Sequence, residues 1–370
     1  MLLLFPEPES TASFALHDHF LTKMRILTGE DVSGLLRSLS SNDARELLNS
    51  FSQGLADYSK AKGSSNANII QPARVVFQNA GQNTVLTMPV SDGDTVVKVA
   101  TVPHKGDIAG AITVYNSVGE LQGVLNAAEI TAFRTALASM TILTRWPAPS
   151  HPSVCVFGSG KQAEWHLRLA LLLIPGITKV IIFNRGAKRL KDLESAVLSG
   201  LRDVHSSVEF ETVASEGNSS YSSTLRERLA KADIICCCTP STEPLFTNGE
   251  LQSTSKSRFM SLIGSYKPSM HEIDADTLRA ARESGKIYVD TEEGCLEEAG
   301  ELISAGFGPD DLIEVGQLFA QTGPAGSEVD GERSLTIFKC VGFGFMDLLV
   351  SKSLLSMAEE ASKGNVVDDF

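Results

Sequence analysis

The stretch Val154-Cys155-Val156-Phe157-Gly158-Ser159-Gly160-Lys161-Gln162-Ala163 constrains the fold more than any other part of this chain. A short apolar run ends in Gly-x-Gly-x-x-Ala, opens an amphipathic segment through Leu173, and returns as a second apolar run at Val180–Phe183. Strand, turn, helix and strand in that order are what a dinucleotide site needs. Gly158 permits the tight turn, and Gly160 lets main-chain N–H groups approach a pyrophosphate. Ala163 keeps the helix close to the sheet, and the helix start offers partial positive charge to the phosphates. Ser159, Lys161 and Gln162 complete the expected cofactor-binding loop.

The end of the second strand bears on which nucleotide is bound. An NAD site usually places a carboxylate there to accept hydrogen bonds from the ribose hydroxyls. This chain has Asn184 and Arg185 instead, with Lys188 and Arg189 beyond. A guanidinium fork suits a 2′-phosphate, so NADP(H) is expected in preference to NAD(H). Lys188 and Arg189 read more simply as the solvated first turn of a surface helix.

With 370 residues the chain is long enough for two domains with substantial cores. A net charge of −13 argues against a nucleic-acid partner, because neutralising phosphates takes a basic face. Six cysteines, three of them consecutive at Cys236, Cys237 and Cys238, do not form a disulfide framework. Neighbouring strand residues point to opposite faces and pair poorly. No zinc spacing is present, and a reduced, cytoplasmic compartment is expected. The start, Met1-Leu2-Leu3-Leu4-Phe5-Pro6, lacks a basic leader, and no apolar run reaches membrane-spanning length.

Along the chain, residues 1–23 read as an extension and Met24 to Lys62 as two helices, begun at Thr28-Gly29-Glu30-Asp31 and Asn42-Asp43. Arg74 to Lys98 is strand-like, and Ser117-Val118-Gly119-Glu120 carries a hairpin signature. A run of strands before any βαβ unit implies a separate antiparallel sheet. Glu129 to Arg145 reads as a long helix ended by Pro147, Pro149 and Pro152. Strands are then expected at Val154–Phe157, Val180–Phe183, Val208–Val213, Ile234–Cys238, Phe259–Ile263 and Ile287–Val289. Near-continuous apolar strands of this kind belong to a parallel sheet covered on both faces. Leu225–Lys231 and Thr277–Glu283 are expected as crossover helices. After Gly323-Pro324-Ala325-Gly326, a final helix is expected from about Ser334 to Glu360.

Three cations stand out in the strand-rich half. Lys98 lies in the alternating run Val96-Val97-Lys98-Val99-Ala100, Arg134 interrupts an otherwise core-like helix, and Arg74 precedes the strands. A cation inside a core-like pattern either snorkels or meets an anion. The words around them go further. Arg74 with Met88-Pro89 and Lys98, Ile130-Thr131-Ala132-Phe133-Arg134-Thr135-Ala136, the glycine loop, Val289-Asp290-Thr291, Glu298-Ala299-Gly300-Glu301, Glu314-Val315-Gly316-Gln317-Leu318 and Thr336-Ile337-Phe338-Lys339-Cys340-Val341-Gly342 occur in this order. Together they resemble the ornithine cyclodeaminase/mu-crystallin family over roughly residues 24 to 360.

The resemblance implies an α/β chain in which a Rossmann-type parallel-sheet domain (134–324) is inserted beside an antiparallel-sheet dimerisation and substrate domain (24–133, completed by 325–370). It also implies a homodimer. Arg74, Lys98 and Arg134 match positions that hold the carboxylate of an amino or imino acid beside the nicotinamide. Two guanidinium groups and an ammonium suit that anion while leaving the α-carbon facing the ring. Thr135 matches a residue near the cofactor phosphates, or else bonds back to its own helix. Thr239, after the fourth strand, joins the expected cofactor set.

One departure bears on mechanism. Gly264-Ser265-Tyr266-Lys267-Pro268 aligns with the segment where cyclodeaminases carry a catalytic Asp, and Leu86-Thr87 stands where they tend to place another acid. Tyr266 is therefore expected as a hydrogen-bond donor or a wall of the pocket. The pattern is more similar to the mu-crystallin branch, whose enzymes reduce ketimines with NAD(P)H. The expected activity is reduction of an α-imino acid, or reductive amination of an α-keto acid. The alternatives are an ornithine cyclodeaminase-type lyase with bound NAD, and a non-catalytic binding protein.

Overall fold

Two capping boxes start the first helices. Thr28 accepts a hydrogen bond from the Asp31 N–H while Asp31 accepts one from Thr28, opening α1 (Gly29–Arg37). Ser40 and Asp43 repeat the arrangement for α2 (Ser41–Ala61). The helical reading of Met24 to Lys62 therefore holds from Gly29 onward. Met24–Leu27 belongs instead to a strand, β1 (Lys23–Leu27). The computed structural model describes residues 23–62, 64, 68–103, 108–251, 256–283, 287–323, 335–368 and 370. Residues 1–22 of the expected extension, 324–326 of the expected turn and Ser334 lie outside the described residues.

The strand-rich half forms β2 (Val75–Gln78), β3 (Thr84–Ser91), β4 (Thr95–Val102), β5 (Ala109–Tyr115) and β6 (Leu121–Asn126). Alternation buries one face, and Asn116 shapes the β5–β6 hairpin by accepting the Val118 and Glu120 N–H groups. β2 to β6 pair antiparallel in sequence, and β1 adds parallel to β6. In this sheet Lys98 of β4 lies between Met88 of β3 and Ile112 of β5. Next comes α3 (Ala127–Leu143), capped by the Asn126 side chain and buried over nearly its whole length. It packs on the first sheet, on α4 (Lys161–Leu173) and on the last long helix, so both halves of the molecule close over it.

The second sheet is wholly parallel. Its strands are β7 (Ser153–Phe157), β8 (Lys179–Asn184), β9 (Glu209–Ala214), β10 (Ile234–Cys237), β11 (Arg258–Leu262), β12 (Ile287–Val289), β13 (Leu312–Glu314) and β14 (Leu335–Lys339). Their order is β13-β12-β14-β11-β10-β7-β8-β9. The chain runs outward from β7 to β9 and then returns to β10 on the other side of β7. The topological switch point therefore lies between β7 and β10, where ligands of such sheets bind.

One expectation fails here. Leu335–Lys339 does not begin the final helix but is a strand paired between β11 and β12. All five residues are buried, and a short apolar run buried on both faces has no period to distinguish strand from helix. The return to the first half thus begins after Lys339, later than the expected boundary at 325. The C-terminal helix covers only Gly344–Glu360, and β15 (Asn365–Asp368) closes the first sheet against β1. Among the described residues no helix is long and apolar enough to cross a membrane.

Candidate active site

The glycine loop sits at the switch point. Gly158 takes φ +115° at the end of β7, and a Cβ there would lie 2.9 Å from the Cys238 carbonyl oxygen, so only glycine fits. Gly160 is the N-cap of α4 and has no capping side chain, and a Cβ built on it meets nothing within 4 Å. The start of α4 is thus uncapped by any side chain and has open space beside Gly160. Around it the buried Ser159 Oγ, Gln162 Oε1 and Thr239 Oγ1 have no hydrogen-bond partner in the protein. Orphaned donors and acceptors beside an uncapped helix start fit a dinucleotide pyrophosphate. Ala163 is fully buried, as close packing of α4 requires.

The other expected cofactor residues divide. The Lys161 ammonium turns away to Glu129 of α3 and, at 3.8 Å, to Glu164. Asn184 donates to the Gly186 carbonyl at 2.9 Å and shapes the turn after β8. Arg185 is exposed, and its side chain has no ion pair among the described residues. Lys188 and Arg189 are exposed in the helix Ala187–Leu193, as the simpler reading expects. Beneath the loop, the buried His166 makes contacts at 2.7 Å to the Gln162 carbonyl and 2.9 Å to Ser139 Oγ, which in turn meets Ser261 Oγ at 2.7 Å. Burial lowers the His166 pKa to about 4, so the ring is neutral. Ser139 and Thr135 lie on α3, so one helix carries the loop's support and the next cation.

Lys98 and Arg134 are brought together from β4 and α3, and both are buried. What joins them is Asp347, fully buried in the first turn of the C-terminal helix. Its Oδ1 lies 3.1 Å from Lys98 Nζ and 3.3 Å from Arg134 Nε, and its Oδ2 lies 3.0 Å from Lys98 Nζ. Burial, with Arg134 and Arg74, lowers the Lys98 pKa to about 8, against the raising influence of Asp347. Gly342, at φ +84°, lies against the Arg134 guanidinium; a Cβ there would be 2.3 Å from Nη1. Asp290 holds that turn in place by accepting the Gly342 N–H at 2.6 Å, the Val341 N–H at 3.3 Å and the Thr291 N–H at 2.9 Å.

Arg74 stands at the mouth of the site, half-buried and paired with Glu298. It lines a cleft of about 340 Å³ with Tyr58, Gln71, Met88, Gly342 and Phe343 among others. Tyr266 does not line this cleft. Its ring is half-buried, with the Lys267 ammonium 5.8 Å from the ring centroid, and burial raises its pKa. The structure thus unites Lys98 with Arg134 and sets Arg74 on the cleft, whose lining includes none of Lys98, Arg134 and Tyr266. Sequence reasoning missed Asp347, although Phe345-Met346-Asp347-Leu348-Leu349-Val350 shows the same charge within an apolar pattern as Lys98 and Arg134.

Comparison with known proteins meets this geometry from outside. The model of the ornithine cyclodeaminase/mu-crystallin family matches residues 38–362. The chain belongs to that family. A relative in Saccharomyces cerevisiae, an uncharacterised protein, is 32% identical over 90% of this chain and 96% of its own. A Delta(1)-pyrroline-2-carboxylate reductase of Bacillus thuringiensis is 28% identical over 89% of this chain and 99% of its own. Among solved structures, Thermococcus litoralis Delta(1)-pyrroline-2-carboxylate reductase in complex with NADH and L-proline has a TM-score of 0.74. It is 21% identical and covers 92% of this chain and 99% of its own. The family fold accounts for both halves of this molecule, the parallel sheet that carries the glycine loop and the mixed sheet that carries Lys98.

Proposed function

We propose that this protein is an NAD(P)H-dependent oxidoreductase that reduces the C=N bond of an α-imino acid, either preformed and cyclic or assembled from an α-keto acid and an amine. The observation that carries the reading is a pair of buried cations, Lys98 and Arg134, sharing one carboxylate. Two charges against one leave the site positive, and an uncompensated buried cation is costly until an anion arrives. The substrate carboxylate is that anion. Arg74 adds a third cation at the mouth once it leaves Glu298. The similarity to pyrroline-2-carboxylate reductases supports the same substrate class.

When bound, the nicotinamide supplies the hydride that adds to the imine carbon. Gly158, Gly160, Ser159, Gln162 and Thr239 would hold its pyrophosphate, and Thr135 would face the phosphates from α3. Arg134 and Lys98 fix the carboxylate, and with it the face of the C=N bond presented to the ring. A protonated imine needs no further proton. A neutral one takes its proton from the Lys98 ammonium, whose pKa near 8 suits donation near neutral pH. Arg185, exposed and without an ion pair among the described residues, would contact a 2′-phosphate and favour NADPH. The protein works as a cytosolic homodimer.

The test uses purified protein with NADPH or NADH and a cyclic ketimine carboxylate, and separately ornithine alone. Loss of nicotinamide absorbance with the ketimine is expected, with no proline or ammonia from ornithine. Ammonia release without net oxidation would make the protein a lyase. Binding without turnover in both arms would make it a binding protein.

A further inference from the structure

We propose that Asp347 is a positioning residue, one that holds Lys98 and Arg134 as a preformed receptor for the substrate carboxylate and keeps the Lys98 ammonium charged. The inference rests on the reductase reading and deepens it. Asp347 is fully buried, and both of its oxygens are engaged. One oxygen is shared between the two cations and the other is given to Lys98 alone. It reaches them from the opposite end of the chain, 249 residues beyond Lys98 and 213 beyond Arg134. Its place in the first turn of Gly344–Glu360 sets its charge at the favourable end of a helix dipole.

The charges around Lys98 make this role necessary. The groups acting on it are Asp347 from the C-terminal helix, Arg134 from α3 and Arg74 from the segment before β2. Burial and both arginines favour loss of its proton, and among the main influences on it Asp347 opposes them. A guanidinium keeps its proton under these conditions, so without Asp347 the site relieves its excess charge by deprotonating the lysine. A neutral Lys98 holds a carboxylate poorly and has no acidic proton to give an imine. Asp347 also leaves donors for the substrate. Among the described residues it takes Arg134 at Nε, while Nη1 has a 3.8 Å contact with Met346 Sδ.

The experiment is the pH profile of ketimine reduction by full-length Asp347→Asn at saturating cofactor, beside wild type and Lys98→Arg. The wild-type kcat/KM should fall on the basic side near the pKa of Lys98, and this limb should vanish in Lys98→Arg. In Asp347→Asn it should move down by about one pH unit, cutting kcat/KM about fivefold at pH 8, approaching tenfold at higher pH and hardly at all at pH 6. NADH or NADPH affinity should be unchanged. A loss of the same factor at every pH, or no change, overturns the proposal. Should Asp347→Asn not fold, Asp347→Glu keeps the charge, and its limb must stay near the wild-type position; a downward shift overturns the proposal. Should the wild-type protein reduce no ketimine, the reductase reading falls by itself. The Asp347 role is then read from the titration of the Lys98 side chain by NMR, where equal midpoints in wild type and Asp347→Asn overturn it.

Discussion

Arg134 is the residue on which the proposed chemistry depends most. Arg134→Ala removes one charge-assisted contact to the substrate carboxylate in a dry site and leaves Asp347 with one cation. It should cost about 2–4 kcal/mol in kcat/KM while cofactor binding changes little; near-normal imine reduction would remove Arg134 from the site. Gly342 tests the same contact without touching a charge. An Ala there would set a Cβ 2.3 Å from Arg134 Nη1 on a backbone with φ +84°, so the guanidinium must move. Gly342→Ala should lower kcat/KM at least about tenfold and leave cofactor affinity intact, as fluorescence titration and initial rates will show. His166 is a separate matter of pH. Its folded pKa near 4 lies below the ordinary value of 6.5, so the unfolded chain binds the extra proton between these values. The stability it supports is present above pH 6.5 and lost as pH falls toward 4. Glu272, raised by burial to about 7, acts with the opposite sign between 4.5 and 7, so only a difference between variants isolates the histidine. Denaturant unfolding of wild type and His166→Gln should converge as pH falls from 6.5 to 4; parallel curves would show that this ring does not titrate there.

At the scale of elements, what could be read from the sequence depended on periodicity and on turn chemistry. The glycine loop, the strands β7 to β12 and the β5–β6 hairpin were legible because each has a local cause: a glycine that must turn, an apolar run of strand length, an Asn that caps. Leu335–Lys339 was not, since its burial comes from β11 and β12 on either side. Nor was the start of β1, whose partners lie about a hundred residues and more away in β6 and β15. The site followed the same rule. Lys98 and Arg134 announced themselves as charges in apolar patterns, but which anion meets them is a fact of packing between the C-terminal helix and α3. Asp290 shows how such packing serves the site. Its carboxylate accepts three main-chain N–H groups and lies 3.3 and 3.2 Å from the Cys295 and Cys340 thiols, fixing the turn that carries Gly342. Asp290→Ala should strand those donors and cost about 2–4 kcal/mol in unfolding experiments. It should also raise KM for the imine, because the turn no longer holds Arg134. Full stability and unchanged KM would show that the turn keeps its shape without the carboxylate.

At the scale of the whole molecule, the described residues leave an apolar sheet edge exposed. β2 is the edge of the first sheet, and all four of its residues are exposed, including Val75, Val76 and Phe77 at 56%, 53% and 49%. Val99, two strands inward, is exposed as well. An apolar edge strand is a template for pairing, and monomeric proteins normally blunt it with charge or proline. This one carries neither. The homodimer proposed for the chain would cover it. The edge is also tied to the site, since Arg74 immediately precedes β2 and both Arg74 and Val76 line the cleft. Pairing of the edge would therefore stiffen the segment that carries Arg74, and if Arg74 holds the substrate as proposed, assembly and catalysis should fail together. Phe77→Glu places a charge on an exposed side chain within the edge strand. Sedimentation velocity should show wild type as a dimer and Phe77→Glu as a monomer at micromolar concentration. The variant should bind cofactor normally and show a raised KM for the imine, the parameter that the proposed role of Arg74 would set. A wild-type protein that sediments as a monomer at that concentration would refute the dimer. A dimeric Phe77→Glu with unchanged KM would place the interface elsewhere on the molecule.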